Sequence, residues 1–348
     1  MGKIKFYSSH HFKNLAFKII LALLTCLFLS PIIIYSQIIE EAKNENNNIT
    51  TITTESEGAN WYYASGDVPF SPRYGYTSIV YDNKMWVIGG SGKNDVWYST
   101  DGVVWTQATA SAAFPARGGH TSVVYNNKMW VIGGYGNGDR NDVWYSTDGV
   151  VWSQAIDFAE FPARYGHTSV VYNNKIWVIG GGNKNDVWYS TDGVVWTQAT
   201  ASAAFPPRYM HTSVVYDNKM WVIGGFQFPY YGNMNDVWYS TDGVVWTQAT
   251  ASAAFPARSN HTSVVFNNKM WVIGGDGGTG NDVWYSTDGV VWTQATASAA
   301  FPARAGHTSV VYDNKMWVIG GYDGDNLRND VWYSPLTTSV INDIWSLY

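Results

Sequence analysis

One pentapeptide, Trp-Val-Ile-Gly-Gly, occurs six times along the chain at spacings of 44, 47, 44, 50 and 46 residues. The six copies begin at Trp86, Trp130, Trp177, Trp221, Trp271 and Trp317. A period of about 40–50 residues indicates a β-propeller array rather than a short solenoid repeat. Because a unit of this size cannot bury its own hydrophobic face, neighbouring units are expected to pack side by side.

Two further motifs repeat in phase with the pentapeptide. Asn-Asp-Val-Trp occurs six times and Ser-Thr-Asp-Gly-Val-Val-Trp five times. With the pentapeptide, Trp61 and Trp345 they account for all 19 tryptophans. The repeated architecture therefore accounts for the aromatic content of 16%, which does not by itself indicate a binding site.

Each unit is predicted to contain four β-strands, A to D. In the second unit they are His120–Tyr125, Lys128–Ile132, Asp142–Ser146 and Val150–Gln154. Asn126-Asn127 suits a tight A–B turn with positive φ. Gly133-Gly134 is expected to end strand B, and Thr147-Asp148-Gly149 is expected to form the turn from strand C to strand D. Four antiparallel strands per period make one propeller blade.

The ends of the array indicate how a ring would close. Asn60–Ala64 resembles a strand D without strands A to C before it, since Trp61 lies 44 residues before Trp105. The last unit has strands A to C, but Pro335 replaces its C–D turn. We predict an all-β, six-bladed propeller whose last blade is completed by the N-terminal strand. The tail segment Val340–Trp345 is the competing source of that strand.

The Gly-Gly doublet after an apolar strand, the downstream Trp and the Pro-x-Arg-x-x-His lead-in resemble the kelch repeat over roughly residues 57–334. The C–D turn Ser99-Thr100-Asp101-Gly102, followed by Trp105, also looks like a shortened Asp-box of secreted propellers. The resemblance implies a kelch-type propeller architecture. It does not imply one function, because propellers host many unrelated functions.

The N-terminus is predicted to direct export. Basic residues precede the apolar run Ile19–Tyr35, and Ser36 is a small residue suited to the position before cleavage. We expect residues 1–36 to be a signal peptide or else a retained anchor, 37–56 a disordered linker, 57–338 the propeller, and 339–348 a tail or extra strand. The expected location is secreted, periplasmic or cell-surface, with membrane contact only if the N-terminal segment is retained.

Composition excludes several classes of chemistry. The formal net charge of −6 becomes −10 without residues 1–36, which argues against a nucleic-acid partner. Cys26, the single cysteine, lies in the apolar N-terminal run. The mature chain would therefore have no disulfide and no thiol chemistry. We expect a monomer with no cofactor and no metal.

Three polar residue types repeat at fixed positions of the unit, and each is predicted to be structural. The histidines would lie too far apart around the axis to share a metal ion, whose ligand atoms lie within ~2.1 Å. The arginines could form an anion-binding ring but are expected to brace neighbouring blades. The Asp-box aspartates should accept backbone hydrogen bonds in their own turns. The histidines are His120, His167, His211, His261 and His307, and the arginines are Arg73, Arg117, Arg164, Arg208, Arg258 and Arg304.

Kelch-type enzymes are the alternative to a binding module. Galactose-oxidase-like chemistry, as the resemblance implies it, needs a cysteine-linked tyrosine that the mature chain lacks. The resemblance also extends to exported six-bladed proteins that interconvert sialic-acid anomers, for which Glu160 with neighbouring arginines would have to serve as the proton-transfer site. We expect Glu160 to be a solvated loop residue instead. The loops Gly136–Asp139 and Asp323–Asn326 lack EF-hand spacing and are predicted to be plain turns. No catalytic residue is predicted, and catalytic activity stays open.

The units differ mainly in their loops. The B–C loop has 3, 6, 3, 9, 5 and 7 residues, and the two residues after each repeated arginine also vary. In an antiparallel blade the B–C and D–A loops emerge on one face, which we call the variable-loop face. We predict that this face binds a protein or glycan ligand, although free drift of loops is the alternative. The predicted ligand-binding residues are Tyr74, Tyr135, Tyr165, Tyr209, Phe226, Phe228, Tyr230, Tyr231, Asn260 and Tyr322.

Overall fold

The protein's computed structural model describes residues 57–66, 68–228 and 232–336, which fall within one compact unit, Glu55–Thr338. The described residues form 24 strands and no helix, arranged in six sheets of four antiparallel strands. The predicted all-β, six-bladed propeller is confirmed. The predicted signal segment 1–36, linker 37–56 and tail 339–348 lie outside the described residues.

Each blade has the strand order A-B-C-D, and the A strands of successive blades contact one another around the axis. The A strands are β2 (Thr77–Tyr81), β6 (Thr121–Tyr125), β10 (Thr168–Tyr172), β14 (Thr212–Tyr216), β18 (Thr262–Phe266) and β22 (Thr308–Tyr312). The B strands are β3 (Lys84–Gly90), β7 (Lys128–Tyr135), β11 (Lys175–Gly181), β15 (Lys219–Gln227), β19 (Lys269–Ile273) and β23 (Lys315–Tyr322).

The outer two strands of each blade complete the sheets. The C strands are β4 (Lys93–Ser99), β8 (Asp139–Ser146), β12 (Lys184–Ser190), β16 (Gly232–Ser240), β20 (Val283–Ser286) and β24 (Leu327–Pro335). The D strands are β5 (Thr106–Thr109), β9 (Ser153–Ile156), β13 (Thr197–Thr200), β17 (Thr247–Thr250), β21 (Thr293–Thr296) and, in the last blade, β1 (Tyr62–Ser65).

The A–B turn has the predicted backbone. Asn126 and Asn127 have φ of 47° and 53°, as a two-residue hairpin with positive φ at both positions requires. Asparagine tolerates this conformation better than most residues, so the repeated Asn or Asp at these positions follows from the turn. The prediction for this turn is confirmed.

The prediction that Gly133-Gly134 ends strand B is wrong. β7 continues to Tyr135, and its pairing with β8 shifts register between Ile132 and Gly134. The doublet is therefore a β-bulge, in which the glycines take positive φ and the strand continues beyond the bend. Strand C correspondingly begins at Asp139 rather than Asp142.

The predicted start of strand D is also wrong. β9 begins at Ser153, whereas Val150 and Val151 belong to the preceding turn and are 50% and 66% exposed. The reason is the Asp148 carboxylate, whose Oδ1 accepts hydrogen bonds from both valine N–H groups at 2.8 and 2.9 Å. The predicted role of the Asp-box aspartates, to accept backbone hydrogen bonds within their turns, is confirmed.

The hydrophobic cores lie between blades, since each cluster combines residues of two successive sheets. Trp86 on strand B of the first blade covers Gly149 in the C–D turn of the second. A Cβ built on Gly149 would lie 2.1 Å from the indole, so only glycine fits there. The same contact recurs from blade to blade, and the repeated Asp-Gly turn therefore follows from the packing of the repeated Trp.

The N-terminal strand provides strand D of the last blade, where β1 pairs antiparallel with β24. Trp61 packs edge-on against Phe301 with ring centroids 5.0 Å apart, as Trp152 does against Phe114 in the second blade. The closing strand thus makes the interblade contact that strand D makes elsewhere.

The turn before β1 follows the Asp-box pattern with one change. Gly58 lies under Trp271 as Gly149 lies under Trp86. Glu57 takes the place of the aspartate, and its carboxylate accepts hydrogen bonds from Lys269 Nζ at 2.7 Å and Asn267 Nδ2 at 3.1 Å. This ion pair links the N-terminal turn to the fifth blade.

Candidate functional site

A closed circle of six backbone hydrogen bonds surrounds the axis where the D–A connections enter strand A. In each bond the N–H of one residue donates to the carbonyl oxygen of its equivalent in the preceding blade, at 2.7–3.3 Å. We call these six residues the axial ring. They are Gly75, Gly119, Gly166, Met210, Asn260 and Gly306.

All six residues of the axial ring have φ between 52° and 62°, the left-handed region. Glycine adopts this conformation readily, and four of the six positions are glycine. The other two positions are Met210 and Asn260. Left-handed backbone is uncommon at residues other than glycine, and asparagine adopts it more readily than most of them.

The residue before each ring residue pairs with the start of the B–C loop of its own blade. Tyr209 and Phe226 exchange two backbone hydrogen bonds, of 3.0 and 2.9 Å. Two bonds also join the pairs Gly118–Tyr135, Ser259–Asp276 and Ala305–Tyr322, and one bond joins the pairs Tyr74–Ser91 and Tyr165–Gly182. The prediction that B–C loops and D–A connections share a face is therefore confirmed.

These pairs surround the axial ring with aromatic side chains. In the first, second, third and sixth blades one partner of the pair is aromatic and the other is small. Both partners are aromatic in the fourth blade, and neither is aromatic in the fifth. We call the six aromatic residues the collar. They are Tyr74, Tyr135, Tyr165, Tyr209, Phe226 and Tyr322.

Four collar rings form a continuous arc across the second to fourth blades. Edge-to-face contacts join Tyr135 to Tyr165, Tyr165 to Tyr209, and Tyr209 to Phe226, with centroids 5.9, 6.0 and 5.5 Å apart. This geometry is favourable for aromatic pairs and limits ring motion. Burial and the neighbouring Tyr165 raise the pKa of Tyr209, so its hydroxyl remains a hydrogen-bond donor.

Several of these rings remain open to solvent. Tyr74 and Tyr135 are each 55% exposed, Tyr322 is 42% exposed, and Phe228 further along the fourth loop is 62% exposed. The backbone of Phe228 is held by Asn183 of the third blade, whose Nδ2 donates to its carbonyl oxygen at 2.9 Å. Clustered exposed aromatic side chains are typical of a contact surface.

The fifth blade differs from the others because it presents polar groups at the same level. Asn260 Nδ2 donates to Asp276 Oδ2 at 2.7 Å, and Asp276 is exposed. The backbone of Asp276 is fixed by two hydrogen bonds with Ser259 and by one from Asn233 Nδ2.

Most of the predicted ligand-binding residues thus meet around the axial ring, and Phe228 extends from it. Tyr230 and Tyr231 lie outside the described residues. Sequence reasoning missed Met210 and Asp276. Asp276 occupies the position after Gly-Gly that holds Tyr135, Phe226 or Tyr322 in other units, so this shared position was a usable signal.

Next to the axial ring, a cavity of about 240 Å³ lies on the axis and is open to solvent. Its lining consists of Ser and Thr hydroxyls with Tyr76, His211 and His307, and contains no charged side chain. Between successive blades, from the first to the sixth, a Thr hydroxyl lies 2.6 Å from the Ser hydroxyl of the next blade. The cavity can therefore offer neutral hydrogen bonds but no ionic contact.

The repeated histidines link successive blades beside this cavity. His167 Nε2 lies 3.0 Å from Thr121 Oγ1 of the preceding blade, and the other four histidines make equivalent contacts at 3.0–3.2 Å. Their predicted structural hydrogen bonding is confirmed. Burial, reinforced by the charge of Arg164, lowers the pKa of His167 to about 3. These imidazoles are neutral at pH 7.

Tyr76 replaces the histidine in the first blade. Its hydroxyl donates a hydrogen bond to the carbonyl oxygen of Ile319, which joins the first blade to the last. Complete burial raises the pKa of this phenol, so it stays protonated. Ser78 occupies the position of the Ser hydroxyls that pair with Thr in the other blades. Its Oγ has no hydrogen-bond partner among the described residues.

The repeated arginines make their side-chain contacts within their own blade. Arg164 is fully buried and forms two hydrogen bonds with Asp186, at 2.8 and 2.7 Å, and one with Gly180 O. Burial would raise the pKa of Asp186, but the hydrogen bond and charge of Arg164 hold it below its ordinary value. The backbone of each arginine, not its guanidinium, bonds to the preceding blade, which corrects the predicted bracing.

Replacing Arg164 by Leu is expected to lower the unfolding free energy by about 3–5 kcal/mol, because the buried Asp186 carboxylate loses its counterion. Urea unfolding measures this. Asp82→Asn at the exposed pair with Lys84 is the control and should change it by less than about 1 kcal/mol. An equal effect of the two substitutions would contradict the structural role of the buried pair.

Other candidate groups lie apart from the axis. Glu160 is exposed, and its Oε2 accepts a hydrogen bond from Trp196 N, which directly precedes strand D of the third blade. Asp323 accepts backbone hydrogen bonds from Asp325 and Asn326, as the turn prediction implies. Within residues 57–336 as described, no group of three or more His, Cys, Asp or Glu could hold a metal ion, and no helix has the length and apolarity to cross a membrane.

Comparison with known proteins agrees with this architecture. A family profile described as the KLHDC2/KLHL20/DRC7 Kelch-repeats domain matches residues 36–225, 119–299 and 211–346. Among solved structures, that of YjhT is similar with a TM-score of 0.63 at 17% identity, covering 77% of this chain and 95% of YjhT. No curated protein matches the chain.

Proposed function

Because the chain belongs to the kelch-repeat family, a fold used generally for protein interaction, we propose that it is a binding module whose partner contacts the collar. The observation that carries this proposal is the set of exposed aromatic rings around the axial ring. Burying such rings against a partner contributes much of the energy of an interface.

A protein partner is favoured by the chemistry of the variable-loop face. Its B–C loops are rich in Gly, Tyr and Asn, three of the residue types that are enriched in antibody paratopes. The edge-to-face arc from Tyr135 to Phe226 holds its rings in place before binding, which reduces the entropy lost on association.

A glycan is the second candidate, and two observations favour it. Tyrosine rings can stack on sugar faces, and the cavity beside the axial ring is lined by neutral hydroxyl and imidazole groups. A sialic-acid isomerase receives less support. The six repeated arginines are already paired with aspartates, and Glu160 contacts Trp196, where the outer strand of its blade begins.

We also propose that the protein is exported and monomeric, with residues 1–36 removed or retained as an anchor. The basic and apolar pattern of that segment supports export. N-terminal sequencing of the protein from its native cells tests this, because export with cleavage predicts a mature chain that begins at Gln37.

The binding function is tested by proximity labelling with the full chain in its native cells, alongside a glycan array. The collar variant Tyr135→Ser/Tyr165→Ser/Tyr209→Ser should lose the partner or glycan that the natural chain retains. Val103→Thr/Val104→Thr in a C–D turn, away from the collar, is the control and should retain it. Identical labelling and array profiles for all three proteins would contradict a collar site.

Shortening the fourth loop is expected to weaken binding while leaving the fold intact. Replacing Phe226–Met234 by Ser91-Gly92-Lys93 copies a loop that the first blade accommodates. It removes Phe226 and Phe228 from the surface. We expect the affinity for the partner or glycan found above to fall at least about 10-fold, or 1.4 kcal/mol, by titration calorimetry. Undiminished affinity in an equally stable variant would remove this loop from the site.

A further inference from the structure

We infer that the fourth and fifth blades form a two-part recognition patch, which takes an apolar side chain next to a basic one on a protein partner. The apolar part is Tyr209, Met210 and Phe226, and the acidic part is Asn260 with Asp276. The inference rests on the proposed function and adds the chemistry of the partner.

The first argument is the backbone of the axial ring. Met210 and Asn260 hold φ of 57° and 52° although the same hydrogen bond is made by glycine in the four other blades. The ring geometry therefore does not require either side chain. Left-handed backbone is strained at methionine, whereas asparagine tolerates it better than most residues, and retained strain such as that at Met210 is characteristic of functional positions.

The apolar part has a defined place. The Cγ of Met210 lies 3.5 Å from the point where a Cβ on Gly166 would lie, so the Met210 side chain extends toward the third blade. Tyr209 precedes it and packs against Phe226 with centroids 5.5 Å apart. A flexible thioether beside two aromatic rings can adapt to an apolar side chain.

The acidic part follows it in the next blade, where the backbone N–H of Asn260 donates to Met210 O at 3.0 Å in the axial ring. Asp276 is exposed, and in the part of the chain that the structure describes no Lys, Arg or His nitrogen lies within 4.0 Å of its carboxylate. Asn260 Nδ2 occupies one carboxylate oxygen at 2.7 Å and fixes the group in place. A carboxylate that is fixed in place and has no counterion can form a charge-assisted hydrogen bond with a Lys or Arg side chain of a partner.

These features together define the partner. The fifth blade is the one without an aromatic residue at the collar, so the carboxylate interrupts an otherwise aromatic surface. A ligand that spans both blades must bring an apolar group to Met210 and a cationic donor to Asp276. A peptide segment with adjacent hydrophobic and basic side chains meets both requirements, whereas a neutral sugar meets neither fully.

A random dodecapeptide phage library selected on the full chain tests this. We expect enrichment of peptides with a basic residue beside an apolar one. Fluorescence polarisation with synthetic copies should show at least 10-fold weaker binding to Met210→Gly and to Asp276→Asn. Between 50 and 300 mM salt, affinity should fall for the natural chain and stay flat for Asp276→Asn. Met210→Gly should not lower the melting temperature, because it relieves backbone strain.

The possible failures are distinct. Peptides whose binding is lost with Tyr135→Ser or Tyr165→Ser but unchanged by Met210→Gly and Asp276→Asn would overturn the patch and leave the collar as the binding site. A lowered melting temperature for Met210→Gly would assign Met210 a structural role and overturn the strain argument. Failure to enrich any peptide sensitive to a collar substitution would count against both the patch and the proposed protein-binding function.

Discussion

Deleting residues 1–65 is expected to lower the melting temperature by about 10 °C or more and to cause aggregation. The deletion removes β1 and Trp61, which packs against Phe301 in the core between the last two blades. Losing a buried Trp alone costs about 3–5 kcal/mol, and each kcal/mol corresponds to about 2 °C in a chain of this size. The unpaired edge of β24 would then be available for pairing between molecules.

The matched control is a chain that begins at Glu55 and keeps the N-terminal turn and β1. It should melt within about 2 °C of the full chain, as should a chain lacking residues 340–348. Differential scanning calorimetry and light scattering measure both effects. Greater loss on removing 340–348 than on removing 1–65 would mean that the tail supplies the stabilising fourth strand.

The number of blades and the strand order were predictable because the repeat carries its own register. Every Trp-Val-Ile-Gly-Gly marks a strand B, and the Asn-Asp-Val-Trp of strand C follows each one after a B–C loop of 3 to 9 residues. Similarity between the units also identified Asn60–Ala64 as a strand D that has no strands A to C before it. No comparison with other chains was needed, since the six units supply the comparison.

Strand boundaries were less predictable, for reasons that belong to particular residues. Val150-Val151 has strong β propensity, but the Asp148 carboxylate holds both N–H groups in the turn. Gly133-Gly134 is typical of a strand end, yet the pairing of Tyr135 with Asp139 continues the strand beyond it. Local propensity was outweighed by a side-chain hydrogen bond in the first case and by backbone strand pairing in the second.

The collar was predictable in part. Loop variation identified the face and most of its residues, because the units are otherwise almost identical. The pairing of an aromatic residue with a small one across the two loops was not predictable, since the partners are 17 residues apart in every blade and meet only through the bulge. The strain at Met210 likewise becomes visible only when the ring of backbone hydrogen bonds is known.

Acidification from pH 7 to pH 5 is expected to reduce the unfolding free energy by about 6 kcal/mol or more. Burial lowers the pKa of His120, His167 and His307 to about 3 and holds the pKa of His211 and His261 well below the ordinary 6.5. The unfolded chain therefore binds protons below pH 6.5 that the folded chain does not. Stability is complete above pH 6.5 and falls by about 2 kcal/mol by pH 5 for each of His120, His167 and His307, and further through His211 and His261.

The ion-paired aspartates do not account for a loss in this range. The pKa of Asp142 is lower in the folded protein than its ordinary 3.8, because the hydrogen bond and charge of Arg117 outweigh the effect of burial. Its contribution to stability is present above about pH 4 and disappears only below that. A transition between pH 6.5 and 5 therefore reports the histidines.

The first blade supplies the matched variant, because Tyr76 occupies the histidine position there without an ionisation near neutral pH. His167→Tyr should reduce the stability change between pH 7 and 5 by about 2 kcal/mol, since the other four histidines remain. Guanidinium unfolding at pH 7, 6 and 5 measures both proteins. Unchanged stability of the natural chain down to pH 5 would mean that the buried imidazoles accept protons in the folded state, through local opening of the contacts with Thr121 and its equivalents.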